Sequence, residues 1–339
     1  MRGQTYQVAI LYNLEDGILR GDPHDLLATQ FTANTTQYIY DALTSLGYST
    51  LRVAVRNSLA ELERALGRLS PDNTFIFDNC DGFNGNNLAA ASVLNLVEAL
   101  GFCHTGTTAK GVELCTEKPC AKERLMAYEI PTPAFQVFDC PDLDFQLEFP
   151  VIIKPSTEDA SMGIDLDSVA TTRSALYERI QRVIEQYKQP AMVEQFIPGR
   201  EVAVAMWGNN PVEVLPISEE DYSMIADPLQ QLLTFAAKWE QDSFYYKNIL
   251  ARCPATLSLA EEVHIQQVAI DTYKAMGLRD FGRVDIRYHN GVPYVIDVNE
   301  LPDLSPESGF WNSARAAGYK YPEMIERILR EALKREGWI

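Results

Sequence analysis

The stretch "RVDIRYHNGVPYVIDVNELPDLSPES", residues 283–308, is the most informative segment of this 339-residue sequence. Apolar and polar residues alternate on both sides of the Asn290-Gly291 dipeptide, a pair that is frequent in β-turns. Alternation with a period of two predicts a hairpin with one buried face and one polar face. The apolar residues all have even numbers: Val284, Ile286, Tyr288, Tyr294, Ile296 and Val298.

The register of this hairpin follows from the requirement that all six apolar residues share one face. A two-residue turn at Asn290 and Gly291 would place the apolar residues of one strand on the opposite face, because a one-residue shift flips every side chain. We therefore expect a three-residue loop, 289–291, with Gly291 in the left-handed conformation. In this register Arg283 lies opposite Asp297.

The polar face of the predicted hairpin carries three oxygen donors. Asp285 lies diagonal to Asp297, and Asn299 lies two residues beyond Asp297 on the same side. Carboxylate and amide oxygens suit Mg²⁺, which normally completes its coordination shell with waters and phosphate oxygens. This face therefore predicts a magnesium site that receives a phosphorylated ligand. The alternative is a solvated face on which Arg283 and Asp297 form a surface salt bridge.

Length, composition and charge limit the class of protein. A chain of 339 residues with 46% hydrophobic residues is expected to form two or three globular domains. The net charge is −18, the pI is about 4.7, and no run of basic residues occurs. We therefore expect neither nucleic acid nor an anionic membrane as a partner.

Cysteine and histidine usage argues against zinc and against a secreted protein. The six cysteines include no CxxC pair, and the four histidines lack the spacing of zinc ligands. The first residues, "MRGQTYQVAI", lack the apolar region of a signal peptide, and no apolar stretch of about 18 residues occurs. These features favour a reduced, cytoplasmic protein, and they leave a homodimer open.

The order of predicted elements indicates an α/β fold with three domains. Strands and helices alternate through the first hundred residues, and Thr116 can cap a helix whose first turn contains Pro119. A buried strand then ends in Lys154 and continues into a small polar loop. Two strands flank the Pro198-Gly199 turn, and 218–256 is an irregular segment typical of a lid. The expected domains are residues 1–116, 117–197 and 198–339.

Five motifs in this order resemble the ATP-grasp superfamily, and most closely its D-alanine–D-alanine ligase branch. The resemblance covers nearly the whole chain, and its motifs are "HTGT" (104–107), "TEK" (116–118), "FPVIIKPSTEDASMG" (149–163), "VEQFIPGREVAV" (193–204) and "GRVDIR…VIDVNELPDLSPES" (282–308). It implies a three-domain ATP-grasp architecture in which ATP is held between the central and C-terminal domains.

The resemblance also implies an ATP site. Lys118 and Lys154 would bind phosphates as point charges, and a flap would fold its backbone N–H groups over the β- and γ-phosphates. Backbone groups of a hinge would read adenine, while its two glutamates would accept from ribose hydroxyls or orient a lysine. Taken alone, the lysines and glutamates could be solvated side chains, and the flap could be an ordinary loop. The implied flap residues are Glu158, Ser161, Met162 and Gly163, and the implied hinge residues are Glu194, Gln195, Phe196, Ile197 and Glu201.

The same resemblance implies a metal site and a two-step reaction. Asp285, Asp297 and Asn299 would hold two Mg²⁺ ions, with Mn²⁺ as a possible substitute, and Arg283 would stabilise an oxyanion. Ser308 matches the serine that binds the carboxylate of the second substrate, although alone it reads as a helix N-cap. A small-molecule carboxylate would attack the γ-phosphate of ATP, and the amine of an amino acid would displace phosphate from the acyl phosphate.

Four departures from the family pattern concern the substrates. Asp303 replaces a glycine after the proline of the metal loop and would add charge where the second substrate binds, and Ala160 occupies the position of a serine. The signature that holds the first substrate's ammonium has no clean match, with Glu15, Asp22 and Asp25 as candidate replacements. The lysine–tyrosine pair of the lid is also uncertain, and Tyr245, Tyr246 and Lys247 lie in the corresponding loop.

These departures leave several functions open. The leading interpretation is an ATP-dependent carboxylate–amine ligase, either a D-alanine–D-alanine ligase or a specialised-metabolite ligase such as a mycosporine–amino acid ligase. A small-molecule kinase on the same scaffold would use the same metals. A regulatory module without turnover would lack metal ligands, whereas all three are present.

Overall fold

A computed structural model describes residues 6–14, 17, 20–56, 58–141 and 144–339, without the side chains of 29–31. Within these residues the strands form three sheets of three, four and six strands, and helices pack against them. The predicted α/β class is therefore confirmed. No described helix combines the length and the apolar composition needed to cross a membrane.

The first sheet is parallel and has the strand order β2-β1-β3. Its strands are nearly continuous apolar runs because helices cover both faces. The alternation of strands and helices predicted for this region is confirmed. The elements are β1 (Gln7–Asn13), α1 (Leu26–Ser45), β2 (Ser49–Val55), α2 (Leu59–Leu66), β3 (Thr74–Asn79) and α3 (Ala89–Ala99).

Two consecutive helices, α4 (Ala109–Thr116) and α5 (Lys118–Ala127), lead into the second sheet. The prediction that Thr116 caps a helix is wrong, because Thr116 is the last residue of α4 and Glu117 precedes α5. The α4 helix is capped by Thr108, whose hydroxyl accepts from the Gly111 N–H at 3.2 Å. Since one residue separates the two helices, there is no room for a separate capping turn.

The second and third sheets are antiparallel and meet where the chain passes between them at 196–199. The second has the order β4-β7-β5-β6, and the third has the order β11-β10-β8-β12-β13 with β9 on β8. The two strands predicted around Pro198-Gly199 therefore exist but belong to different sheets. The second sheet comprises β4 (Phe135–Phe138), β5 (Val151–Pro155), β6 (Val169–Ala170) and β7 (Ala191–Gln195), packed on α6 (Arg173–Tyr187).

The third sheet contains the hairpin and is followed by the C-terminal helices. The segment 218–256, predicted to be irregular, contains two short helices and two short strands. The bounds are β8 (Arg200–Trp207), β9 (Glu213–Val214), β10 (Ser218–Asp221), α7 (Phe235–Trp239), α8 (Phe244–Asn248), β11 (Leu250–Arg252), α9 (Leu259–Ala275), β12 (Phe281–His289), β13 (Val292–Asn299), α10 (Gly309–Ala316) and α11 (Tyr321–Arg335).

The hairpin turn differs from the prediction. Asn290 and Gly291 form a two-residue turn with φ of 49° and 80°, and His289 pairs with Val292. The predicted three-residue loop is therefore wrong. The sequence argument assumed a constant register, whereas β13 contains one unpaired extra residue, Ile296, and so restores the apolar alternation beyond the turn.

The bulge at Ile296 changes which side chains face each other. Beyond it, Asp285 pairs with Asp297, and Arg283 pairs with Asn299. The predicted pairing of Arg283 with Asp297 is therefore wrong, and so is the surface salt bridge between them, because the Arg283 guanidinium binds Asp285. The two carboxylates that were predicted to bind metal thus lie directly opposite each other.

A hydrophobic core joins the first sheet to the C-terminal helices. The apolar face of β1 and β3 packs in the same cluster as Trp207, Phe281 and Phe310 of the third sheet's region. The α11 helix supplies six residues to this cluster, all fully buried: Met324, Ile325, Ile328, Leu329, Ala332 and Leu333. The N-terminal and C-terminal parts of the chain therefore share one core.

A buried ion pair closes this shared core at one edge. Asp280 is fully buried and accepts hydrogen bonds from the Gly106 N–H at 2.8 Å and from Asn209 Nδ2 at 3.0 Å. The guanidinium of Arg335 binds the same carboxylate at 2.8 Å and 3.0 Å, and also donates to the His104 carbonyl. The pair thus ties α11 to the 104–107 loop and to the start of β12.

A second contact joins the N-terminal segment to the second sheet. Arg20 forms an ion pair of 3.0 Å with Glu158, and Asp25 accepts from the Tyr187 hydroxyl at 3.0 Å. Burial raises the pKa of Glu158 to about 7 from 4.5, although Arg20 and the Gln189 amide counteract this effect. The charge state of this contact therefore changes near neutral pH.

We predict that Arg335→Met lowers the free energy of unfolding by about 3–5 kcal/mol, because it leaves the buried Asp280 carboxylate without its cation. Urea denaturation measures this change. Arg330→Met on the same helix is the control, since Arg330 is half exposed and its pair with Glu326 spans 3.8 Å. Equal effects of the two substitutions would contradict the importance assigned to the buried pair.

Stability should also depend on the protonation of Glu158. A carboxyl with a higher pKa in the folded chain stabilises the fold fully below pH 4.5, and this contribution is lost as the pH rises through about 7. The loss amounts to about 3 kcal/mol. Asp78 and Glu220 also have raised pKa values and contribute to the same pH dependence. Urea denaturation measured from pH 4 to pH 8 should therefore show a smaller decrease in Glu158→Gln than in the wild type and in Glu185→Gln, an exposed control.

Candidate active site

A cleft of about 930 Å³ that opens to solvent lies between the second and third sheets. It is lined by the strand ends of β5 and β7, by β8, β12 and β13, by the start of α5, and by α7. Two residues from the predicted set, Gly163 and Ser308, do not line it. The predicted residues that do are Lys118, Lys154, Glu158, Ser161, Met162, Glu194, Gln195, Phe196, Ile197, Glu201, Arg283, Asp285, Asp297 and Asn299.

The predicted metal ligands converge at one end of this cleft. Asn299 Nδ2 donates to Asp285 Oδ2 at 3.0 Å, and Arg283 donates to both oxygens of Asp285 at 2.7 Å and 2.9 Å. Asp297, opposite Asp285, accepts from Lys118 Nζ at 3.1 Å. The bulge at Ile296 is the reason these side chains share one side of the hairpin.

The cationic side chains at this end of the cleft favour the ionised form of Asp297. Burial alone would raise the pKa of Asp297, but the charges of Lys118, Lys154 and Arg283 outweigh burial and lower that pKa to about 2. Lys118 also forms an ion pair of 2.9 Å with Asp159. Asp297 is therefore charged at neutral pH and is balanced by side-chain cations.

The donor set fits Mg²⁺ bound together with a phosphorylated ligand. Among the described residues, no group of three or more histidine, cysteine, aspartate and glutamate side chains could hold a metal by itself. Two carboxylates and one amide oxygen are instead an incomplete set of hard donors, which phosphate oxygens and waters complete for Mg²⁺. The chemistry of Asp285, Asp297 and Asn299 thus matches the predicted metal site.

A lysine–glutamate–lysine triad connects the lining of the cleft to α5. Glu194 is only 1% exposed and forms ion pairs with Lys154 at 2.6 Å and with Lys122 at 2.5 Å. Burial acts to raise the pKa of Glu194, but the two lysines outweigh it and lower that pKa. Of the two roles considered for this glutamate, the geometry favours orienting a lysine over binding a ribose.

The predicted flap lies against the lid. Ala160, Ser161 and Gly163 have positive φ, the Ser161 hydroxyl donates to the Leu233 carbonyl at 2.8 Å, and Trp239 Nε1 donates to the Ala160 carbonyl at 2.9 Å. Gly163 packs closely against Pro155, and a Cβ at this position would lie only 2.6 Å from the proline ring. Its place outside the cleft lining follows from this packing.

A second charged group lies at the other end of the cleft. Glu201 accepts from the Tyr222 hydroxyl at 2.7 Å and pairs with Arg287 at 2.7 Å. Arg287 also donates to the carbonyls of Gly199 and Gln231, so it links the hinge to the lid. Glu201 therefore has a fixed orientation toward the cleft.

Sequence reasoning missed four cleft or near-cleft residues: Lys122, Asp159, Lys238 and Arg287. Lys238 belongs to α7 and lines the cleft, and no carboxylate of the described chain lies within ion-pair distance of it. Burial lowers its pKa. The lysine considered for the lid, Lys247, is instead more than half exposed and faces Asp242. Only Lys122 had a sequence signal, since it follows Lys118 by one helical turn.

The loop after Asn299 is held by its own side chains. Ser308 caps α10 by accepting from the Trp311 N–H at 3.1 Å, as its alternative interpretation proposed. Asp303 accepts from the Ser305 N–H at 2.8 Å and from the Thr35 hydroxyl at 3.3 Å. The carboxylate that replaces the family glycine thus fastens this loop to α1.

Two candidates for binding the first substrate's ammonium, Asp22 and Asp25, do not line the cleft. Asp22 accepts from Gln186 Nε2 at 2.9 Å and Asp25 accepts from Tyr187, so both face α6. They line a separate cavity of about 610 Å³ behind the flap. Glu15 lies outside the described residues.

Comparison with known proteins relates this cleft to an enzyme family. The profile described as "D-ala D-ala ligase C-terminus" matches residues 136–330. An uncharacterised protein of Sinorhizobium fredii is 31% identical over 299 residues, which are 87% of this chain and 86% of the relative. The D-alanine–D-alanine ligase of Francisella philomiragia is 28% identical over 301 residues, 87% of this chain and 91% of the relative.

Solved structures agree with this assignment at the level of the fold. The D-alanine–D-alanine ligase of Bacillus anthracis complexed with ATP superimposes with a TM-score of 0.74 and 19% identity. The match covers 97% of this chain and 99% of that structure, and so confirms the ATP-grasp architecture predicted from the motifs. The matched profile and the relative above 30% identity lead to one conclusion: the chain belongs to the D-alanine–D-alanine ligase family of ATP-dependent, ADP-forming carboxylate–amine ligases.

Proposed function

We propose that this protein joins the carboxylate of one amino acid to the amine of a second, with D-alanine as the first substrate to test at both positions. The observation that carries the proposal is the convergence of Asp285, Asp297 and Asn299 with the phosphate-binding cations in one cleft. The named relatives are D-alanine–D-alanine ligases. The comparisons give no support to the mycosporine-type alternative.

The cationic and apolar side chains that line the cleft suit the triphosphate and the adenine ring of ATP. Five cations line the cleft; Arg287 is paired with Glu201, and the other four can neutralise a triphosphate: Lys118, Lys154, Lys238 and Arg283. Apolar side chains near the hinge, including Ile152, Phe196 and Leu232, offer a slot for the adenine ring. The backbone of 194–197 would read the adenine edge, and Glu201 would accept from the ribose hydroxyls.

The metal ligands are Asp285, Asp297 and Asn299 in this proposal. We expect two Mg²⁺ ions, for which Mn²⁺ can substitute, bound with the β- and γ-phosphates. When bound, the ions supply positive charge that stabilises the transferring phosphoryl group. Lys118 forms an ion pair with Asp297, and Arg283 forms one with Asp285. Both carboxylates therefore already have positive charge beside them.

The proposed reaction has two displacements. The carboxylate oxygen of the first amino acid bonds to the γ-phosphorus, and the bond to the bridging oxygen breaks to release ADP. The amine nitrogen of the second amino acid then bonds to the acyl carbon, the acyl carbon–oxygen bond breaks, and phosphate and a proton leave. Arg283, fixed by both oxygens of Asp285, donates to the oxyanion that forms at the acyl carbon.

The lid and flap serve to exclude water from the acyl phosphate. Ser161 and Ala160 hydrogen-bond to the lid, and the flap residue Met162 packs with Phe235 and Trp239. Water would otherwise hydrolyse the activated intermediate without forming an amide. Opening of this contact must therefore accompany substrate entry.

Other properties stay predictions from the sequence. Small-molecule substrates are expected for a member of this family, and the charge of −18 argues against nucleic acid. The two finer expectations, a homodimer and a cytoplasmic location, follow from the sequence reasoning alone.

Substrate panels test the proposed function directly. We expect ADP release to require ATP, Mg²⁺ and amino acids, with D-alanine alone sufficient because it can occupy both positions. A small-molecule kinase would instead release ADP with one acceptor and form no amide, which mass spectrometry of the product distinguishes. Absence of amide product from D-alanine and from all paired amino acids would refute the proposal.

Removing one metal ligand should abolish ligation while the fold persists. We predict that Asp297→Asn lowers kcat roughly 10²–10³-fold, since an amide retains the shape but lacks the negative charge. The measurement is coupled ADP release, with circular dichroism to confirm folding. Asp41→Asn, an exposed substitution on α1, is the control and should leave kcat unchanged.

The lid lysine should contribute to ATP binding. We predict that Lys238→Met raises the KM for ATP by about 5–150-fold, which corresponds to a lost charge-assisted hydrogen bond of about 1–3 kcal/mol. Lys247→Met on the neighbouring helix is the matched control, because Lys247 points away from the cleft. A larger effect at Lys247 than at Lys238 would reverse the assignment.

A further inference from the structure

Lys122 is a buried lysine that does not line the ATP cleft. Its side chain is 4% exposed, and it lies on α5 one turn after Lys118. Burial lowers its pKa although the charge of Glu194 acts in the opposite direction. An isolated buried ammonium is unfavourable, so its retention depends on the acceptors around it.

Three acceptors surround the Lys122 ammonium, and they belong to three different parts of the site. Nζ lies 2.5 Å from Glu194 Oε1, 2.8 Å from Thr132 Oγ1 and 3.2 Å from the carbonyl oxygen of Val295. Thr132 and the Val295 carbonyl accept hydrogen bonds from the ammonium, and the Glu194 carboxylate forms an ion pair with it. Lys122 is therefore fully engaged within the protein.

One of these acceptors leads to the phosphate-binding lysine. The second oxygen of Glu194 binds Lys154 Nζ at 2.6 Å, and Lys154 lines the cleft. Lys122 holds the opposite oxygen of the same carboxylate. The rotation of this carboxylate, and hence the place of the Lys154 ammonium, is thus fixed from two sides.

The other acceptors lead to the metal strand. The carbonyl of Val295 lies next to the bulge residue Ile296 and two residues before Asp297. It accepts from Lys122 and also from the Thr132 hydroxyl at 2.7 Å, while the Val295 N–H donates to the Pro131 carbonyl at 2.8 Å. Lys122 and Thr132 thus hold the backbone at the point where the register changes.

We propose that Lys122 is a positioning residue that sets the distance between the phosphate-binding lysine and the metal-binding strand, by holding Glu194 and the Val295 carbonyl at the same time. It touches neither nucleotide nor substrate. This inference rests on the proposed function, because it assigns Lys154 to phosphate and Asp297 to metal. Misplacement of either group by about 1 Å is enough to slow phosphoryl transfer strongly.

Substitution of Lys122 distinguishes a positioning role from a contribution to folding stability alone. We expect Lys122→Met to lower kcat by roughly 10–100-fold and to weaken ADP binding, measured by calorimetry without divalent ions, by roughly 5–50-fold. Adenosine affinity should stay unchanged, because adenosine lacks the phosphates that Lys154 contacts. Lys122→Arg should restore part of both losses, and Lys110→Met, an exposed lysine substitution on α4, should match the wild type.

Thr132→Val provides the second variant. It removes one donor to the Val295 carbonyl and leaves the Glu194 pair in place, so we expect a lower kcat, by roughly 3–10-fold, with unchanged ADP affinity. If Lys122→Met does not fold, this variant decides: a wild-type kcat overturns the inference. If Lys122→Met folds, wild-type values of kcat and ADP affinity overturn it.

The outcomes also distinguish this inference from the proposed function. Failure of the wild-type protein to bind ADP or to form an amide would remove the function itself. Normal wild-type activity together with an unaltered folded Lys122→Met protein would remove only the positioning role. A purely structural role would lower the urea midpoint and leave kcat, ADP affinity and adenosine affinity of the folded protein unchanged.

Discussion

The arrangement of the cleft depends on a single extra residue in β13. Without the bulge at Ile296, the tight turn at Asn290 and Gly291 would direct either the apolar residues or the two aspartates of the hairpin to the wrong face. With it, Val295 and Val298 enter the core, while Ile296 and Asp297 face the cleft. Bulges next to functional sites often redirect a side chain in this way. Here one bulge reconciles a two-residue turn with the placement of Asp297 opposite Asp285.

Three cations of the cleft form ion pairs with carboxylates of the chain. Lys118 contacts Asp297 and Asp159, Lys154 contacts Glu194, and Arg283 contacts Asp285. A bound triphosphate would compete with these carboxylates for the same ammonium and guanidinium groups. Binding would therefore exchange ion pairs within a largely preformed site, which lowers the reorganisation needed before phosphoryl transfer.

Much of the fold and the content of the cleft could be predicted from the sequence, because motif order and apolar periodicity are local properties. The hairpin illustrates where this reasoning fails, since a bulge leaves no trace in a pattern read with constant register. Thr116 illustrates a second failure, because a residue that favours a cap in isolation can end the preceding helix.

The residues missed in the cleft have a different explanation. Lys238 lies in a segment without periodicity, and only tertiary packing brings α7 over the cleft. Asp303 was expected to add charge where the second substrate binds, and the structure uses its carboxylate within the loop and against α1. Contacts between residues that are far apart in the chain cannot be predicted from the pattern of neighbouring residues.

The core shared by the first sheet and α11 has a consequence for biosynthesis. The N-terminal sheet is complete in sequence once β3 has been translated, but the helix that covers part of its apolar face, α11, follows only after the two later sheets. At a synthesis rate of about 5–20 residues per second, roughly ten to fifty seconds pass between β3 and the end of α11. Part of this apolar face therefore lacks its partner helix while the two later sheets are being synthesised.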